Sequence, residues 1–108
     1  MAVKIKPYTE ALGAEILNIN LGRKLSTKNL SLIKDAINKY HVVFFRDQDI
    51  TSQQFINFGK NFGTLEIHPL IPKLKGHPEI IELASLETGP GPMTRNSAVW
   101  HSDMTYTK

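Results

Sequence analysis

The chain contains no cysteine. That excludes a disulfide framework and any thiolate metal site, and it agrees with a reducing compartment. Also missing is an apolar run long enough to cross a bilayer. The opening "MAVKIKPYTE" has lysines with no continuous apolar segment behind them, so neither a signal peptide nor a membrane span is predicted, and the cytoplasm is the expected location. A basic cluster is lacking too. Thirteen Lys and Arg against ten Asp and Glu give a net charge of +3, but the cations are scattered from Lys4 to Arg95. Nucleic-acid binders gather such charge on one face or interleave it with aromatics. Neither nucleic acid nor membrane is therefore an expected partner, whereas a faintly basic surface suits small anionic molecules. The sequence has no internal repeat and no low-complexity tract.

What remains is ordinary globular material. Apolar residues make up 41% and charged residues 21% of 108 residues, enough for one small core and too little for two domains.

Along the chain, "AVKIKPY" alternates apolar and polar residues and reads as a short edge strand ended by Pro7. "GAEILNINLG" reads as a second strand between two glycines. Its alternation slips at Ile16-Leu17, which predicts a bulge or burial on both faces. "LSTKNLSLIKDAINKY" has the pattern of a helix: Ser26 as N-cap, Leu25 and Leu30 as a hydrophobic staple, then Leu30, Ile33, Ile37 and Tyr40 at helical spacing. "HVVFF" follows as a buried strand. A second helix starts at "ITSQQF", with Thr51 and Gln54 as a capping box and Ile50 with Phe55 as a staple. Phe55, Phe58 and Phe62 form its apolar stripe, and Gly63 its C-cap. Phenylalanines at this spacing signify core packing before a cofactor box.

The character then changes. "IHPLIPKLKGHP" reads as a loop, "EIIELAS" as a strand, "LETGPGPMTRNS" as a Gly- and Pro-rich loop, and "AVWHSDMTY" as a final strand. Side chains at i and i+2 of a strand share a face. His101 and Asp103, if extended, project together and could reach one cation. A second histidine from elsewhere would complete a 2-His-1-carboxylate triad with open positions, the arrangement of non-haem Fe(II) oxygenases. Alone, H-x-D is weakly specific, and on that motif by itself a hydrogen-bonded polar pair is the favoured reading. The other histidines do not settle the matter. His41 opens a strand behind a helix and reads as structural; His77, before Pro78, reads as an exposed loop residue.

Taken together and in order, "GAEILNINL", "HVVFFRDQDIT", "FGKNFGTLEIHPLIP", "HPEIIEL" and "VWHSDMTY" resemble the taurine dioxygenase family of Fe(II)- and 2-oxoglutarate-dependent oxygenases, from about Tyr8 to Tyr106. Each motif is weak alone; their order makes them specific. The resemblance implies an α+β chain that forms the N-terminal portion of a double-stranded β-helix, or jelly-roll-like, oxygenase fold, with two helices packed on strands. Residues 1–108 would then be a single incomplete domain. It implies Fe(II), with 2-oxoglutarate and O₂ as co-substrates, His101 and Asp103 as the first two metal ligands, and His68 as a contact to an anionic substrate. A loop histidine beside Pro69, with no substrate role, accounts for His68 as well. The family often carries an asparagine four residues before the iron histidine. Ser97 stands there with Asn96 beside it, so both are candidate substrate-binding residues.

Two departures qualify the likeness. The taurine enzymes place a tyrosine three residues after the substrate histidine, where this chain has Ile71; losing that hydroxyl puts taurine itself in doubt. The family's distal iron histidine and the arginine that pairs with 2-oxoglutarate have no counterpart before Lys108. The expected activity is hydroxylation of a small sulfonate, sulfate or carboxylate. The alternative is a truncated, non-catalytic remnant with no turnover by itself. Family members often form oligomers, so a homo-oligomer is a further expectation.

Overall fold

A computed structural model describes residues 2–69, 72–81, 100, 102 and 103. The chain divides into two compact units, Met1–Ile67 and His68–Lys108.

The first unit is a sheet covered on one face by a helix. Strand β1 (Lys4–Pro7) pairs antiparallel with β2 (Ala14–Leu17), in a register running from Lys4 opposite Leu17 to Pro7 opposite Ala14. The hairpin between them closes on Gly13. Its φ is 85°, so a side chain there would be strained by the backbone, although an added Cβ would meet Tyr8 Cβ at 3.4 Å and the Phe44 ring at 3.5 Å, ordinary contact distances. Gly13 N–H donates to the Tyr40 carbonyl and Gly13 C=O accepts from Tyr8 N–H, each at 2.8 Å.

The expected bulge at Ile16-Leu17 is absent. The ladder is regular there, and the strand stops because Asn18 turns to φ 63°. Burial on both faces is partly met: Ala14 and Ile16 are buried, while Glu15 and Leu17 are half-buried.

Helix α1 (Thr27–Tyr40) begins as its sequence dictates. Ser26 is extended, and its hydroxyl accepts from Asn29 N–H at 3.1 Å, satisfying one of the donors left over at a helix start. The apolar stripe buries Ile33, Ala36 and Tyr40 against Ala14 and Ile16. Val3, Ile5, Ile19, Leu25, Ile37, Val43, Phe45 and Phe58 pack around them. The helix ends at His41, in the left-handed region at φ 69°, with its N–H donated to the Ile37 carbonyl. His41 is exposed and its structural role is that of a C-cap. Glycine adopts this conformation without a Cβ penalty. His41→Gly should therefore raise stability by about 0.5–1 kcal/mol, read as a higher urea midpoint; a lower midpoint would contradict the capping role.

Strand β3 (Val43–Phe44) lies parallel to β2, giving the sheet order β1-β2-β3 with α1 as the crossover. "HVVFF" is thus not the buried strand its composition predicts. Val43 and Phe45 pack on the core while Val42 and Phe44 are exposed, and among the described residues no strand lies beyond β3.

The segment after β3 is tied to the segment after β2 by Gln48. Its side-chain amide donates to the carbonyls of Ile19 (3.0 Å) and Arg46 (3.1 Å) and accepts from Leu21 N–H (2.9 Å). Arg46 also reaches Glu15 at 3.2 Å across the sheet. Truncating Gln48 leaves a part-buried N–H and carbonyl without partners. We expect Gln48→Ala to cost about 1–3 kcal/mol in denaturant unfolding, and a loss below a few tenths would show that water replaces it.

Helix α2 (Ser52–Gly59) has the expected capping box: Thr51 accepts from Gln54 N–H at 3.1 Å, and Thr51 N–H donates to the Gln54 side chain at 2.8 Å. A 3-10 turn, Lys60–Phe62, extends it, and Gly63 caps that turn rather than the helix. The predicted apolar stripe is corrected at Phe55 and at Phe62, which are 54% and 44% exposed; Ile56 is the buried residue. Adjacent helical residues differ by about 100° in direction, so Phe55 and Ile56 cannot both face the core. Phe58 does face inward, edge-on to Phe45 at 5.7 Å and to Phe62 at 5.3 Å.

In the second unit, β4 (Lys73–Leu74) and β5 (His77–Ile81) form an antiparallel hairpin. "IHPLIPKLKGHP" was expected to be loop throughout, yet β4 and the start of β5 fall within it. Leu74 pairs with His77 around Lys75-Gly76, and Gly76 at φ 81° supplies the left-handed residue the turn needs. Pro78 fits because an edge strand can spare an N–H. Among the described residues no helix is long and apolar enough to cross a membrane.

Candidate iron and substrate site

The candidate residues all belong to the second unit. His68 is its first residue, half-buried in the irregular segment before Pro69. His77 is half-buried in β5, not the exposed loop residue its proline neighbour predicts. Asp103 is exposed in a turn, and Trp100 beside the motif is 101% exposed. His68 and Asp103 each interact with a neighbouring group. His101, Asn96, Ser97 and Ile71 lie outside the described residues, so the shared face expected for His101 and Asp103 has no measured geometry.

The final strand, "AVWHSDMTY", meets the structure at three positions only. Trp100, Ser102 and Asp103 carry no strand ladder.

Donor chemistry decides what these side chains could hold. An imidazole nitrogen and a carboxylate oxygen suit a divalent first-row metal such as Fe(II) and exclude a soft, thiolate-preferring one. Two protein ligands do not make a closed site. Among the described residues no group of three or more His, Cys, Asp or Glu could hold a metal. The donor types of His101 and Asp103 are compatible in kind with Fe(II).

Comparison with known proteins supplies the wider frame. Residues 4–108 match the family described as "Taurine catabolism dioxygenase TauD, TfdA family". An alkylsulfatase of Acinetobacter baylyi is 31% identical over 105 residues, covering 96% of this chain and 31% of its own. An alpha-ketoglutarate-dependent sulfate ester dioxygenase of Pseudomonas putida is 26% identical over 107 residues, covering 98% and 34%. Among solved structures, a taurine dioxygenase from Burkholderia xenovorans aligns with TM-score 0.67 and 35% identity over 70% of this chain and 28% of that one. AAD-2 in complex with Mn(II) and N-oxalylglycine aligns with TM-score 0.59 and 30% identity over 61% and 24%. The chain spans about a third of the length of the curated relatives it matches. With the family match extending over nearly every residue, from the β1 strand through the H-x-D motif, the chain belongs to the Taurine catabolism dioxygenase TauD, TfdA family.

Proposed function

We propose that the chain is the N-terminal part of an Fe(II)- and 2-oxoglutarate-dependent dioxygenase that acts on a small sulfate ester, within a double-stranded β-helix completed by further polypeptide. The observation that carries this reading is the family match over residues 4–108, which includes His101 and Asp103. Two features favour a sulfate ester over taurine: both curated relatives carry sulfate chemistry in their names, and Ile71 stands where the taurine enzymes have a tyrosine.

His101 and Asp103 would hold the iron from one side, leaving coordination positions for small molecules. When bound, the metal would activate O₂, the oxidant, so that decarboxylation of 2-oxoglutarate is coupled to hydroxylation of a C–H bond. The protein's own task is orientation. His68 donates a hydrogen bond to the sulfate head group, placing the carbon that bears the ester oxygen toward the metal. Asn96 and Ser97 provide amide and hydroxyl groups near the same substrate. Hydroxylation at that carbon gives an unstable adduct that breaks to an aldehyde and sulfate, with succinate and CO₂ from the co-substrate.

The test is an assay of the complete encoded protein, loaded anaerobically with Fe(II), against alkyl sulfates and taurine. Alkyl-sulfate-dependent succinate with equal sulfate release is expected. Succinate released only with taurine would sink the substrate assignment, and none with any substrate would sink the enzyme reading. The isolated 108-residue chain should show no turnover, since two ligands and no 2-oxoglutarate arginine are present.

A further inference from the structure

We draw no further inference here: the strongest candidate, the exposed apolar patch of Tyr8, Val42 and Phe44 along β3 of the first unit's sheet, is an unpartnered face, and nothing in the structure shows what covers it.

Discussion

His101→Ala is expected to lower 2-oxoglutarate turnover by the complete encoded protein at least about a hundredfold and to weaken Fe(II) binding by a similar factor. Loss of groups that merely orient a ligand costs metal sites about 10–100-fold, and His101 is itself a proposed ligand, so the larger figure sets the floor. Asp103→Asn should fall nearly as far, because it keeps the shape of the side chain but removes the anionic charge that offsets the cation. Iron binding is measured by equilibrium dialysis and turnover by succinate formation. Neither substitution lies in the first unit, so its urea unfolding should stay where it was. Turnover within tenfold of the parent would remove His101 from the metal. Weakened iron binding with parent-like unfolding would separate a lost ligand from a lost fold.

The local signals that carried the sequence reading were those decided by short-range physics. Ser26 and the Thr51–Gln54 pair could be read as helix starts because a hydroxyl at the cap position needs only its own next three residues to act. Helix α1 was legible because Leu30, Ile33, Ile37 and Tyr40 recur at helical spacing; Ile33 and Tyr40 are buried, Leu30 and Ile37 are half-buried, and buried Ala36 was missed. The errors came where a distant partner decides. "HVVFF" has central-strand composition, but its exposure depends on what lies beyond β3. Phe55 fits the spacing of a stripe, yet Ile56 takes the inward direction. β4 was hidden because prolines dominate its surroundings while the informative turn, Lys75-Gly76, is two residues long.

The candidate site was legible in a different way. Spacing alone left His101 and Asp103 between a polar pair and two ligands, and the order of motifs, now matched over residues 4–108, raised the second reading. What stayed illegible is tertiary in origin. A facial triad draws its third ligand from another strand, and residue types near an H-x-D cannot say where that strand is. Substrate identity is similarly distributed: Ile71 removes one candidate contact, but a pocket is selected by all of its walls.

The second large effect is on stability. Ile33→Ala should destabilise the chain by about 2–5 kcal/mol. Ile33 is 0% exposed, the largest side chain so fully enclosed among the described residues, and it packs between Ala14, Ile16, Ala36 and Tyr40. Two of those neighbours are alanines and cannot extend into the space left behind, while Ile16 belongs to the central strand of the sheet, held by ladders on both sides. The site therefore collapses poorly, which places the cost in the upper half of that range. A unit of this size commands about 3–10 kcal/mol in all, so Ile33→Ala consumes a large part of it. Ile33→Val removes one methylene and should cost about 0.5–1.5 kcal/mol. Urea unfolding followed by far-UV circular dichroism measures both: the midpoint should fall in the order parent, valine, alanine, with the slope unchanged. Equal losses for the two variants would mean that the contacts of the terminal Cδ1 methyl alone, not the filled volume between α1 and the sheet, set the stability of the unit.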